Sequence, residues 1–190
     1  MSIVLGIDEV GRGCWAGPLV AGAVILEEPI AGLKDSKKLT KTQREKLAFE
    51  INLHAKAIGL GWVQPSEIDS IGLTKAVGLA MQRALAKVTV PYDKLIIDGN
   101  INFFPNDPRA IAIIKADNTV PAVSAASIVA KVARDKWMAT NAAEQFPEYE
   151  FEKHVGYGTK LHLEMLQRHG VCILHRLSYK PVKKIVLAKL

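Results

Sequence analysis

Apolar residues in this chain fall into short runs, and three of those runs lead into a carboxylate. Ile3 to Ile7 runs into Asp8-Glu9, Lys94 to Ile97 into Asp98, and Ala110 to Ile114 toward Asp117. Runs of this length, rich in Ile, Val and Leu and bounded by Gly, Pro and Asn, predict buried strands. Pro18 to Leu26 and Ala55 to Val63 predict two more, and residues 30 to 40 read as a Lys-rich loop. Elsewhere the period changes to that of a helix. Thr40 precedes a helical stretch at Lys41 to Asn52. From Ser66 a polar start leads into Lys75 to Ala86, where Val77, Met81, Ala84 and Leu85 recur at helical spacing. Val123 to Ala139 is Ala-rich and free of Gly and Pro, a good helix former. Gly156-Tyr157-Gly158 interrupts the chain before a short amphipathic helix at Lys160 to His169, which Gly170 ends.

The alternation fits one α/β domain, with the first three strands close enough in sequence to pair antiparallel. A core over residues 1–145 and a basic helical C-terminal segment, 146–190, packed on it is the simplest division. If the acid-ending strands lie side by side and parallel, Asp8, Glu9, Asp98 and Asp117 share one edge of the sheet, where open α/β folds place ligands. Four acids gathered in a partly dry cleft repel one another unless a cation neutralises them. Oxygen ligands of this kind select Mg²⁺ or Mn²⁺ over Zn²⁺. Two local questions stay open. Neighbouring side chains on a strand face opposite ways, so Asp8 and Glu9 serve one site only if the strand ends there, and Gly11 and Gly13 make such a turn plausible. Asp117, beside Asn118 and Thr119, reads as a metal ligand first, with a helix cap as the alternative.

Composition narrows the function class. A chain of 190 residues holds one domain with a proper core. Its net charge of +6 is uneven: residues 1–150 carry 17 basic and 17 acidic groups, whereas residues 151–190 carry 8 and 2. A basic segment beside an acidic edge suits a polyanionic substrate, although a solvated basic surface with no partner gives the same pattern. Cys14 and Cys172 form no metal or redox motif and read as small buried hydrophobes. No apolar run reaches membrane-spanning length, and nothing at the N-terminus resembles a secretory leader, so a cytoplasmic monomer is expected. The five histidines, at 54, 154, 162, 169 and 175, read as surface or phosphate-contacting groups. There is no G-x-S-x-G elbow, H-E-x-x-H pair or P-loop, which removes the usual side-chain nucleophiles, zinc sites and nucleotide cradles.

Specific blocks sharpen this further. Asp8-Glu9-Val10-Gly11-Arg12-Gly13, then Ala16-Gly17-Pro18, resembles the opening signature of bacterial ribonuclease HII, the type 2 ribonucleases H. The resemblance continues through Asp35-Ser36-Lys37-Lys38-Leu39, Ile97-Asp98-Gly99, Lys115-Ala116-Asp117, the stretch Ser124 to Asp135, Gly156-Tyr157-Gly158-Thr159, His175-Arg176-Leu177-Ser178-Tyr179 and Pro181-Val182-Lys183. Departures are modest: Val155 stands where many relatives carry Lys, Ala116 where Gly is frequent, and Cys14-Trp15 occupies a variable position.

The resemblance implies a ribonuclease H-like sheet of three antiparallel strands followed by two parallel ones, flanked by helices. It implies endonucleolytic hydrolysis of RNA in RNA/DNA hybrids and of single ribonucleotides in duplex DNA, cut on the 5′ side to leave 3′-hydroxyl and 5′-phosphate ends. By the same resemblance Asp8, Glu9, Asp98 and Asp117 hold two divalent ions, Mg²⁺ or Mn²⁺, with Asp8 bridging. Glu9 and Asp98 then lean toward the leaving oxygen and Asp117 toward the attacking water. Gly11, Arg12, Gly13 and Tyr157 read the ribose 2′-hydroxyl, the group that distinguishes RNA from DNA. Lys37, with Lys38, Lys180, Lys183 and Lys184, is a candidate phosphate contact. Recruitment by a replication sliding clamp is compatible with the apolar tail at residues 185–190, which contains no convincing recruitment peptide. Two rivals remain: a hybrid-binding module without activity, and a metal phosphohydrolase of small substrates.

Overall fold

The five apolar runs form one mixed sheet in the computed structural model, which describes residues 2–33 and 36–188. Its strands are β1 (Val4–Val10), β2 (Leu19–Leu26), β3 (Ala55–Val63), β4 (Lys94–Asp98) and β5 (Ala110–Ile113), in the order β3-β2-β1-β4-β5. β1 pairs antiparallel with β2, and β2 with β3, whereas β1–β4 and β4–β5 are parallel. This is the expected ribonuclease H-like topology. The α-helices among the described residues are α1 (Lys41–His54), α2 (Pro65–Ile71), α3 (Leu73–Leu85), α4 (Pro121–Trp137), the single turns α5 (Ala143–Gln145) and α6 (Phe151–His154), α7 (Lys160–His169) and α8 (Lys180–Ala188). None of the described residues forms a helix long and apolar enough to cross a membrane.

Strand alternation decides what each face of the sheet meets. Leu5 and Ile7 of β1, with Ala21, Ala23, Leu95 and Ile97, bury against Ala76, Val77, Ala80 and Met81 of α3. Gly6 and Asp8 therefore face the other side, under α4. A Cβ at Gly6 would stand 2.3 Å from Val123 N, and one at Gly22 would stand 2.4 Å from Ala126 O. Only glycine permits that approach. It lays the Ala- and Ser-rich face of α4 directly on the sheet.

Two readings of the sequence change here. β5 stops at Ile113, and Lys115 takes a left-handed conformation at φ 59° that turns the chain into the short 3₁₀ segment Ala116–Asn118. Asp117 thus sits in a turn beside the sheet edge, three residues before Val120, the N-cap of α4, so it is not that helix's cap. The histidine reading also fails for three of five. His154, His162 and His175 are buried between the C-terminal segment and the rest of the fold.

Those three rings are neutral, and their hydrogen bonds show why. Cys172 N–H donates to His175 Nδ1 (2.9 Å), so the His175 proton lies on Nε2, 3.1 Å from His162 Nε2. His162 must then carry its proton on Nδ1, which donates to the Tyr157 carbonyl (2.9 Å). Gly156 N–H donates to His154 Nδ1 while His154 Nε2 faces Tyr149 O. A second proton on any ring would need a lone pair already in use. Burial pushes His162 down to about 3 and His175 down to about 4, and lowers His154. Because the folded values are depressed, the unfolded chain binds more protons below pH 6.5. Stability from these rings is complete above that pH and declines as pH falls toward 4. The slope of unfolding free energy against pH between 4.5 and 6.5 should become shallower by about one proton in His162→Asn. Identical slopes from denaturant titrations of the two proteins would contradict the assignment.

Candidate active site

Asp8 and Asp98 are neighbours by register. Ile7 pairs with Ile97 in the parallel β1–β4 ladder, so the next residue on each strand is an acid, and adjacent strands lie about 4.8 Å apart. Asp8 is buried at 6% exposure; its Oδ1 accepts from Glu9 N–H at 2.7 Å, and Ser127 of α4 also donates to its carboxyl. Burial, followed by repulsion from Glu9 and Asp98, raises its pKa well above the ordinary carboxylate range. Oδ1 of Asp98 is buried and has no hydrogen-bond partner among the described residues. A buried carboxylate oxygen left in that state is costly, and a hard cation is the partner that suits it.

Glu9 reaches the same edge by a different route from the one expected. β1 does not end at Asp8 but stays paired with β2 through Val10↔Val20. Glu9 therefore points to the α3 side, where it lines a small recess with Thr74, Val77, Asp98, Gly99 and Asn100. Asp8 and Glu9 straddle the sheet, and Asp98 at the end of β4 lies within electrostatic reach of both. Burial raises the Glu9 pKa, opposed by Arg12, whose Nη1 donates to Glu9 Oε1 at 3.0 Å. Asp117 is buried too, with Asn118 Nδ2 donating to its Oδ1 at 2.9 Å and Ser124 Oγ donating to its carbonyl. Among the described residues no group of three or more His, Cys, Asp or Glu is placed so as to hold a metal ion. Asp8, Glu9 and Asp98 lie within electrostatic reach of one another, and as oxygen donors their chemistry fits Mg²⁺ or Mn²⁺.

Above the acids, the loop from Gly11 to Pro18 is pinned by two arginines with no exposed surface. Arg134 of α4 donates to Pro18 O (2.8 Å), Ala16 O (3.0 Å) and Val155 O (2.9 Å). Arg176 donates to Gly11 O (2.7 Å), Arg12 O (3.3 Å) and, through two nitrogens, Gly17 O (3.0 and 2.8 Å). Tyr179 Oη adds a bond to Arg12 O. Gly11 takes φ 93°, and a Cβ there would meet Arg134 Nε at 2.6 Å, whereas a Cβ at Gly13 would meet nothing within 4 Å among the described residues. The backbone at Gly13 faces open space. The second signature joins the first here: Trp15 N–H and Ala16 N–H both donate to Gly156 O, and Cys14 bridges to Tyr157. Predicted recognition residues far apart in sequence, Gly11, Arg12, Gly13 and Tyr157, thus stand together beside the acids.

Comparison with known proteins gives the family and the fold. The family model for Ribonuclease HII matches residues 5–182. The chain belongs to the ribonuclease HII family. It is 47% identical over 183 residues to the ribonuclease HII of Shewanella loihica, covering 94% of this chain and 88% of that protein. The structure of the ribonuclease H2 from Pyrococcus horikoshii superposes with a TM-score of 0.80 at 28% identity and covers 98% of both chains. That of the PCNA:RNase HII complex from Archaeoglobus fulgidus gives 0.77 at 28% identity, covering 94% of this chain and 95% of that one. As a ribonuclease HII the chain is a ribonuclease H-type enzyme that cleaves RNA in RNA/DNA hybrids.

Other residues of this ribonuclease HII fall where the sequence did not place them. Arg134, Arg176, Tyr179 and Ser127 had no assigned role, and the one available signal was their presence inside family blocks. Lys38 Nζ contacts Asn118 Oδ1, which places it beside Asp117. Lys37 belongs to the 3₁₀ turn Ser36–Lys38, and its side chain lies outside the described residues. Lys180, Lys183 and Lys184 are exposed along α8. Arg176→Ala would leave the buried carbonyls of Gly11 and Gly17 without this donor, and an unpaired buried polar group costs about 1–3 kcal/mol. A loss of about 3 kcal/mol or more is expected in denaturant unfolding, with Arg176→Lys recovering only part because an ammonium lacks the planar fork. Wild-type stability in the Ala variant would remove the clamp from the account.

Proposed function

We propose that this ribonuclease HII cuts on the 5′ side of single ribonucleotides in duplex DNA as well as within RNA/DNA hybrids, leaving 3′-hydroxyl and 5′-phosphate ends. The observation that supports this most is buried Asp8 next to half-buried Asp98, whose own Oδ1 is buried and unpartnered among the described residues, lying beside a backbone loop open at Gly13. Asp8, Glu9, Asp98 and Asp117 would hold two divalent cations, which when bound supply an activated water and stabilise charge on the phosphoryl and departing oxygens. Asp8, within electrostatic reach of Glu9 and Asp98, would be the ligand common to both ions, with Glu9 and Asp98 serving the leaving-group side and Asp117 the water side.

The protein's own groups do the selecting. The Gly11-Arg12-Gly13 backbone and the Tyr157 hydroxyl read the 2′-hydroxyl, which is both donor and acceptor. The Arg12 carbonyl is already engaged by Tyr179 and Arg176, so this loop is presented rigid. In its present geometry the Arg12 guanidinium neutralises Glu9. The basic segment 146–190, acting with the core 1–145, positions the duplex through phosphate contacts at Lys180, Lys183 and Lys184, as do Lys37 and Lys38 from the opposite loop. Recruitment by a sliding clamp is proposed on a single ground, that the Archaeoglobus relative was solved as a complex with PCNA.

The test is a labelled DNA duplex carrying one ribonucleotide, incubated with Mg²⁺, Mn²⁺ or EDTA. The expected product is a single cut 5′ of the ribonucleotide, absent with EDTA. Asp98→Asn should abolish cleavage while keeping duplex and hybrid binding within a few-fold, since carboxylate and amide have nearly the same shape. Equal loss of binding and cleavage, or cutting without regard to the ribonucleotide, would defeat the proposal.

A further inference from the structure

Tyr157 is held by a lysine that the scheme above leaves unused. Lys131 of α4 places Nζ 3.1 Å from Tyr157 Oη and 4.7 Å from the centre of its ring. One turn further along α4, Asp135 Oδ1 accepts from the same nitrogen at 3.1 Å, and its Oδ2 lies 2.9 Å away as an ion-pair contact. An ammonium has three N–H groups and no lone pair. Asp135 Oδ1 and Tyr157 Oη take two of them. The pair is also well covered, at 15% and 21% side-chain exposure. It is therefore unlike the exposed lysines of α8.

Lysine beside phenol fixes a direction. A tyrosine hydroxyl can donate one hydrogen and accept another, and in isolation it does either. Here the neighbour can only donate, so it occupies the oxygen's lone pair and leaves the Oη hydrogen to point away. Lys131 is the only hydrogen-bond partner that Tyr157 Oη has among the described residues. The ring itself cannot swing to another arrangement easily. Its backbone is bonded to His162 and joined to Cys14, and the fixed Arg134 guanidinium lies 5.8 Å from its centroid.

We infer that Lys131, held by Asp135, sets Tyr157 as an obligate hydrogen-bond donor, so that the tyrosine reads the 2′ oxygen of a ribonucleotide as an acceptor. Lys131 is a positioning residue that determines specificity through Tyr157, and the inference rests on the proposed contact between Tyr157 and the 2′-hydroxyl. A deoxyribose offers no oxygen there, and the oriented hydrogen stays unpaired. Sites built around one buried polar partner reject the analogue that lacks it more strongly than apolar pockets do. The same polarity leaves the proton of the 2′-hydroxyl free to go to a backbone acceptor of the Gly11–Gly13 loop.

A double-mutant cycle on the single-ribonucleotide duplex tests this, with kcat/KM measured for wild type, Lys131→Met, Tyr157→Phe and the double variant. Each single substitution is expected to lower kcat/KM by about tenfold, the worth of one hydrogen bond, and the double variant should match Tyr157→Phe within about twofold. Lys131→Arg, which keeps a donor at this place, should restore most of the rate. Should Lys131→Met fail to fold by melting analysis, Lys131→Leu, which likewise carries no donor, takes its place in the cycle. Losses that multiply in the double variant would mean that Lys131 acts independently of Tyr157, and would overturn the inference. So would wild-type rates in Lys131→Met alongside an impaired Tyr157→Phe, which would leave the reading of Tyr157 intact. Wild-type rates in Tyr157→Phe would remove that reading and this inference together.

Discussion

The close approach of α4 to the sheet is the constraint on which the site depends. Gly6 and Gly22 carry no side chain, so Ala122, Val123 and Ala126 lie against bare backbone. Ser127, one residue on, is thereby brought to Asp8 and shuts it from solvent. The parallel register of β1 and β4 sets Asp98 beside it. Two charges about 5 Å apart at an effective dielectric of about 20 repel by about 3 kcal/mol. The fold therefore concentrates unfavourable negative charge at one edge of the sheet, and a divalent cation would relieve it. Burial, the raised pKa of Asp8 and the unpartnered oxygen of Asp98 are three consequences of that single arrangement.

A second constraint brings recognition to the same place. Arg134 and Arg176 bond mainly to main-chain carbonyls, and Asp135 lies 3.6 Å from Arg134. Carbonyl partners satisfy the guanidinium donors without neutralising their charge. They also stiffen the loop from Gly11 to Pro18 and, through Val155 and Gly156, tie it to Tyr157. The neutral histidines continue this tie from below, since His162 bonds the Tyr157 carbonyl and His175 bonds His162. The acids at the sheet edge and the loop from Gly11 to Pro18 are therefore linked through one helix and one C-terminal segment.

Much of this was legible in the sequence, because strand periodicity is a local signal. The five strands, the helix at Lys160 to His169 and the grouping of Asp8 with Asp98 follow from runs of apolar residues and where they end. What was not legible depends on tertiary placement. A buried arginine and a solvated one look alike in sequence, so Arg134 and Arg176 gave no sign of their carbonyl partners. The histidines were misread because they occur among lysines, whereas burial is set by the apolar cluster of Tyr149, Phe151 and Leu166 around them. Asp8 and Glu9 were expected to need a strand end. They instead reach one edge from opposite faces, an arrangement visible only once β4 is known to be shorter than β1.

The most direct test of the central claim is calorimetric titration of Mn²⁺ into wild type and Asp98→Asn, with melting temperatures recorded in EDTA. Relief of the buried repulsion should leave the Asn variant as stable as wild type or more so without metal, while most of its affinity for the ion is lost. Equal Mn²⁺ affinity in the two proteins, or a metal-free variant that melts earlier than wild type, would contradict the account.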